Sequence, residues 1–106
     1  MNYLLNIFKD NTGKTALHLA SENGKTNSMA ALLEWGSDVD TQDHAGWSPL
    51  HSAAGNNQMA AVKLLTQYHA FLNAMDYSVN RETPLDCAYN NNAEDIVTFF
   101  MGKSKQ

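Results

Sequence analysis

The chain repeats a nine-residue pattern at a fixed spacing. Residues 10–18 read DNTGKTALH and residues 43–51 read DHAGWSPLH. Both segments begin with aspartate, have glycine at the fourth position and end in Leu-His. A third aspartate, Asp76, follows Asp43 at the same spacing, but the TPLDCA segment at 83–88 comes two residues late. A period of about 33 residues is typical of chains that stack copies of one supersecondary unit. The sequence therefore predicts a solenoid of three units, with two residues inserted before Thr83.

Each copy carries the start signals of helices. A serine or threonine that can cap exposed backbone N–H groups precedes each predicted first helix, and in two copies proline follows it, as the first helical turn tolerates. Apolar residues at helical spacing then predict a first and a second helix in every copy. The predicted first helices span 16–23, 49–56 and 84–91, and the predicted second helices span 27–35, 59–68 and 94–101.

The turns inside the copies predict left-handed backbone. Gly24 follows the first helix of the first copy, and Asn57 and Asn92 stand at the equivalent positions. Asparagine is the residue that best replaces glycine in this conformation. Gly36 ends the next helix and His69 occupies its equivalent place, so we expect a left-handed residue there as well.

The recurring residues resemble the ankyrin repeat, whose 33-residue period and Thr-Pro-Leu-His-x-Ala signature match from Asp10 to about Met101. The second copy also resembles gankyrin-type repeats, and the third resembles the closing repeats of inversin-like proteins. The resemblance implies an all-α fold, an ankyrin-repeat α-solenoid of three helix-turn-helix repeats with projecting β-turn fingers. The expected parts are an N-terminal cap or extension at 1–9, repeats at 10–42, 43–75 and 76–102, and a tail at 103–106.

Composition argues against several classes of function. The chain has 7 Lys and Arg against 11 Asp and Glu, and its basic residues are scattered, so we expect no nucleic-acid partner. No apolar run approaches the length of a membrane span, and we expect no membrane partner. The single cysteine, Cys87, cannot form an internal disulfide. The expected location is therefore the cytoplasm, or the nucleus.

The histidines are the first residues to consider for catalysis, since imidazole is the commonest general base. However, His18 and His51 each stand three residues after a capping hydroxyl, and two copies a full repeat apart cannot share one pocket. His44 and His69 lack partners at metal-ligand spacing, so we expect no metal, no cofactor and no enzyme. We assign structural roles at the helix starts to Thr15, His18, Ser48, His51, Thr83 and Asp86.

The family resemblance implies a protein partner along the finger tips and the exposed side of the first helices. Trp47 is a candidate anchor because tryptophan often dominates interface energy, but its indole could instead lie along the adjacent finger. The expected finger contacts are Asn11, Thr12, Lys14, His44, Ala45, Trp47, Tyr77, Val79 and Arg81. The expected helix contacts are Glu22, Asn23, Gly55, Asn56 and Asn90.

The two ends of the array differ. The apolar segment from Met1 to Phe8 lies outside the repeat register, so it either covers the open face of the first repeat or causes self-association. Tyr89 and Asp86 predict that the third copy faces water. We expect a non-catalytic adaptor or scaffold module; the alternatives are a self-associating structural assembly unit and a regulatory ankyrin segment of a larger signalling protein.

Overall fold

The computed structural model describes residues 4–104, and this part of the chain contains seven helices. They confirm the predicted all-α class. The three predicted first helices each end one residue early, and the last helix continues three residues beyond its predicted end. The helices are α1 (Leu4–Ile7), α2 (Ala16–Glu22), α3 (Thr26–Glu34), α4 (Pro49–Gly55), α5 (Met59–Gln67), α6 (Pro84–Asn90) and α7 (Glu94–Ser104).

The helices stack in two layers. The first helices α2, α4 and α6 pack in one row, while α3, α5 and α7 form the second row behind them. One continuous apolar core, which includes Leu17, Leu50, Leu65 and Ile96, runs through all three repeats. Fully buried alanines such as Ala53 let neighbouring backbones approach closely. This is the predicted solenoid, in which each repeat packs against its neighbours.

Each first helix begins with the same capping box. The capping side chain accepts a hydrogen bond from the backbone N–H three residues later, and the side chain of that later residue accepts one from the backbone N–H of the cap. These reciprocal bonds satisfy two donors that a helix start otherwise leaves open. The pairs are Thr15 with His18, Ser48 with His51 and Thr83 with Asp86, which are the six residues given structural roles from the sequence.

The turns adopt the predicted left-handed backbone. Asn57 and Asn92 have φ angles of 57° and 59°, close to the 67° of Gly24. His69 has a φ of 63° where the first repeat has Gly36. The substitutions therefore keep the turn geometry, as an asparagine side chain allows most readily.

Asn6 joins the N-terminal segment to the first repeat. Asn6 donates from Nδ2 to the carbonyl of Gly36 (3.1 Å) and accepts at Oδ1 from the N–H of Asp38 (2.7 Å). Ile7 and Phe8 nevertheless expose more than half of their surface. The segment is a partial cap, and its predicted first residues, 1–3, lie outside the described part of the chain.

Candidate partner-binding surface

Each finger is built on the aspartate that starts the repeat. Its Oδ1 accepts hydrogen bonds from two finger N–H groups, and its own N–H donates to the carbonyl at the finger base, at distances of 2.8–3.0 Å. The bonds fix the finger backbone without a β-strand in the described residues. Asp10 bonds Thr12 and Lys14, Asp43 bonds Ala45 and Trp47, and Asp76 bonds Ser78 and Glu82.

The third finger is longer than the second, as the two residues inserted before Thr83 imply. Its closing bond joins Asp76 to Glu82, six residues apart, whereas the second joins Asp43 to Trp47, four apart. Arg81 takes the left-handed place that glycine fills in the other fingers, with a φ of 51°. The insertion carries Val79 to the tip, where its side chain is 100 % exposed.

The fingers are hydrogen-bonded to one another. The N–H of His44 donates to the carbonyl of Thr12 (3.0 Å), and the N–H of Tyr77 donates to the carbonyl of Ala45 (2.9 Å). The Tyr77 ring also lies over Gly46, where a Cβ atom would come within 2.7 Å of the ring. The three fingers therefore form one continuous row, whose shape depends on a glycine at position 46.

The buried histidines connect successive repeats. His18 accepts at Nδ1 from the N–H of Thr15 (3.1 Å), so the ring proton lies on Nε2, which bonds the carbonyl of Trp47 (2.6 Å) in the next repeat. His51 bonds Ser48 and the carbonyl of Glu82 in the same way. Burial lowers the pKa of both rings. Their nitrogens are occupied within the fold, and the two rings do not meet in one pocket.

Trp47 lies against its own molecule. Its ring stacks on His51 with centroids 5.9 Å apart, and Nε1 donates to Oδ2 of Asp76 (3.3 Å). The ring also covers Gly55, where a Cβ atom would lie 3.0 Å from it. Of the two interpretations of this residue, the structure favours packing along the adjacent finger. The side chain is only half-buried, so a contact with a partner stays a prediction.

The finger base contacts the first helix through one pair of residues in every repeat. The two residues of each pair are eight positions apart. The first repeat has an ion pair of 3.0 Å, the second has an aromatic ring packed on a glycine, and the third has an amide that donates to a carboxylate. Five predicted contact residues therefore also have intramolecular partners. The pairs are Lys14 with Glu22, Trp47 with Gly55, and Glu82 with Asn90.

The remaining predicted contact residues all lie exposed on the fingers or at the ends of the first helices. At those helix ends, Asn23 and Asn56 each donate to the carbonyl four residues earlier at 2.8 Å. Whether any of them touches a partner stays a prediction. They are Asn11, Thr12, Asn23, His44, Ala45, Asn56, Tyr77, Val79 and Arg81.

The three finger aspartates and Gln42 were not identified from the sequence as residues that shape the surface. The roles of Asp10, Asp43 and Asp76 had a signal, because their equal spacing marked them as part of the unit. Gln42 had none, since the other copies lack a glutamine there. It donates to the carbonyls of Gly46 (2.9 Å) and Met75, and so ties the second finger to the third.

Cys87 and groups of side chains that could ligate a metal are the features to consider for chemistry in the described part of the chain. Cys87 is buried, and burial raises the pKa of its thiol to about 12, so it is not an activated nucleophile. Between residues 4 and 104, no group of three His, Cys, Asp or Glu side chains is placed to hold a metal ion. Within the same range, no helix has both the length and the apolar character that crossing a membrane needs.

The fold and this surface define a helical-repeat protein with a row of fingers beside its first helices α2, α4 and α6. Comparison of the sequence with known families identifies the repeat. Residues 35–106 match the family described as Ankyrin repeats (3 copies), and residues 12–44 match Ankyrin repeat. The chain belongs to the ankyrin repeat family, as its resemblance implied.

Curated relatives are similar over most of the chain. It is 34% identical to the Neurogenic locus Notch protein of Drosophila melanogaster over 99 residues, which is 89% of the chain and 4% of the relative. It is 35% identical to Rabankyrin-5 of Mus musculus over 98 residues, 89% of the chain and 8% of the relative. Protein phosphatase 1 regulatory subunit 12A of Mus musculus is 41% identical over 54 residues, 51% of the chain and 5% of the relative. The chain thus spans less than a tenth of these relatives.

Proposed function

We propose that this chain is a non-catalytic adaptor module that binds a partner protein along its finger row and the neighbouring side of α2, α4 and α6. Ankyrin repeats are in general protein–protein interaction modules, and the relatives named above include a regulatory subunit. The observation that carries the proposal is the continuous finger row. Backbone bonds between adjacent fingers hold exposed side chains of three repeats in one fixed arrangement, and a rigid surface loses little entropy on binding.

The exposed side chains suit an interface. Tyr77 and Val79 place apolar surface on the third finger, which also carries the exposed Arg81, and tyrosine and arginine are enriched at interface centres. Trp47 is half-buried, and its Nε1 donates to Asp76, the residue before Tyr77. A partner that spans three repeats would bury a total of about 1,600 Å².

A matched pair of variants tests this surface. Val79→Asp places a charge on the third finger, and Met101→Asp places one on an exposed site of α7, in the layer behind. Proteins captured from cell extract by the wild-type chain are identified, and their direct affinity for both variants is measured. We expect at least tenfold weaker binding for Val79→Asp and unchanged binding for Met101→Asp. Equal affinities would contradict the proposed surface.

Self-association is the second candidate function. It is favoured by the exposed apolar side chains of Leu4, Ile7 and Phe8 at the N-terminal end. Light scattering over a range of concentrations separates the two candidates. A concentration-independent monomer removes the assembly unit, whereas a dimer that Phe8→Asp dissociates supports it.

The remaining candidate is a regulatory ankyrin segment of a larger signalling protein. It is supported by the length of the similar proteins, of which this chain matches less than a tenth.

A reducing compartment, the cytoplasm or the nucleus, suits a chain whose single cysteine is buried. Fluorescence microscopy of the tagged chain in cells tests the location, and secretion of the chain would contradict it.

A further inference from the structure

One side of α2 is an interface position without an occupant in the described chain. Leu19 is 40 % exposed, but its equivalents in the next two repeats, Ser52 and Cys87, are 0 % and 3 % exposed. Ala16 is also exposed where the other repeats bury a proline. In those repeats the preceding first helix provides the cover, α2 on α4 and α4 on α6. The exposed side of α2 therefore continues the established interface between repeats.

The first finger carries the matching unused backbone groups. The carbonyls of Trp47 and Glu82 each accept two hydrogen bonds, one from their own finger and one from the histidine of the preceding repeat. Among the described residues, the carbonyl of Lys14 accepts only the first of these, from Asp10. The N–H of Asn11 likewise lacks, in residues 4–104, the bond to a preceding finger that His44 makes.

The N-terminal segment fills only half of a preceding repeat. Asn6 accepts from the N–H of Asp38 (2.7 Å) much as Asp40 accepts from the N–H of Phe71 (2.8 Å) between the first and second repeats. Leu5 of α1 packs beside Ala31 and Leu32 of α3 and lines with them a shallow apolar cavity of about 260 Å³. The short helix α1 thus takes the position that the end of a second helix has in a complete repeat. No residue between 4 and 104 fills the places of a finger and a first helix beside it.

We propose that this open strip, which we call the α2 strip (Asn11, Lys14, Ala16 and Leu19), binds a finger-and-helix segment of a partner protein. The residues that the segment needs follow from the two interfaces between repeats, α2 with α4 and α4 with α6. A serine or threonine caps its helix, a histidine three residues later donates from Nε2 to the carbonyl of Lys14, and a small residue three positions further faces α2. Fully buried Ser21 and Ala54 hold that last position in this chain.

The third repeat of a second copy does not have this chemistry. It carries Asp86 at the histidine position, and an ionised carboxylate cannot donate to the carbonyl of Lys14. Tyr89 stands at the small-residue position and projects into solvent. Head-to-tail stacking would therefore oppose two oxygen acceptors and crowd a tyrosine against α2.

A fusion protein tests the α2 strip directly. The probe is a copy of residues 43–57, which contain the required cap, histidine and alanine, joined by a flexible Gly/Ser linker to the N-terminus of the full chain. A tethered segment is presented at millimolar effective concentration. We expect a higher melting temperature than for the unfused chain, and at least tenfold slower hydrogen exchange at the Asn11 amide.

Two controls make the result specific. The fusion whose appended copy carries His51→Ala, and the fusion whose host carries Leu19→Asp, should both lose the gain in melting temperature and the protection of Asn11. A fusion that behaves like the unfused chain would overturn the proposal, as would a gain that survives either substitution. A wild-type dimer that Leu19→Asp dissociates would also overturn it, since a second copy would then occupy the strip.

Discussion

His18 and His51 each use one ring to cap a helix and to hold the next repeat. The Nδ1 atom accepts from a backbone N–H within the repeat, and the opposite Nε2 bonds a carbonyl across the interface. In the third repeat Asp86 reproduces the cap alone, with Oδ2 2.9 Å from the backbone nitrogen of Thr83. A comparison of these positions therefore separates capping from stacking.

His51→Ala should lower the free energy of unfolding by about 1–3 kcal/mol, because the buried N–H of Ser48 loses its acceptor on the ring and the carbonyl of Glu82 keeps only the bond from Asp76. Urea denaturation followed by circular dichroism measures the change. Asp86→Ala is the matched control, and we expect it to cost less, about 1 kcal/mol, since only the cap is lost. Equal losses would contradict the role of histidine between repeats.

The two histidines should make stability depend on pH. Burial lowers the pKa of both His18 and His51, so between the folded-state pKa values and about 6.5 the unfolded chain binds more protons than the folded chain. The free energy of unfolding should be fully present above pH 6.5 and fall as the pH drops below it. Urea titrations at several pH values check this. A double variant, His18→Gln with His51→Gln, should flatten the slope, and an unchanged slope would contradict the assignment.

Ser52 is a polar residue that the fold buries without using. Its Oγ is inaccessible and has no hydrogen-bond partner among the described residues, and the third repeat carries Cys87 in its place. Ser52→Ala should raise the free energy of unfolding by about 1 kcal/mol, since desolvating an unpaired hydroxyl is unfavourable. Ser21→Ala is the control, because Ser21 donates to the carbonyl of Leu17 (2.6 Å) and should not gain stability. Calorimetry distinguishes the two, and parallel losses would contradict the explanation.

At the scale of elements, the fingers show how a two-residue insertion is absorbed. The aspartate bonds are kept, the loop closes two residues later, and Arg81 takes the left-handed conformation of Gly46. A side chain with a Cβ atom is strained in that region by roughly 1–2 kcal/mol. The third finger therefore keeps the arrangement of the others at a local cost.

Arg81→Gly should relieve this strain and raise the free energy of unfolding by about 1 kcal/mol, less the added flexibility of glycine in the unfolded chain. Arg81→Ala, which keeps the Cβ atom, should leave stability nearly unchanged. Thermal unfolding of both variants measures the difference. If alanine stabilises as much as glycine, the arginine side chain and not the backbone is responsible.

The sequence predicts the helix starts well but not every finger residue. The first helices were predicted to within one residue, because a hydroxyl cap and a proline act locally. For Trp47 the sequence leaves two interpretations open, because its place depends on Asp76 and Gly55, which only the fold brings near. The left-handed Arg81 was hidden as well, because the insertion shifts it out of register with Gly46.

At the scale of the whole molecule, each repeat contacts its neighbours along one core, so stability and binding surface are both built by repetition. The same periodicity explains why the fold could be predicted from 106 residues and the partner could not. Residues that recur maintain the stack. Those that vary, such as Val79 at the third finger tip, distinguish this surface from others with the same fold.

Hydrogen exchange of the chain, free and bound to a protein that it captures from cell extract, tests whether the finger row is the binding surface. The proposed adaptor function predicts slower exchange in the complex at finger amides, including those of residues 44–47 and 77–81, with α3, α5 and α7 unchanged. Protection confined to those second-layer helices, with the fingers unaffected, would contradict it.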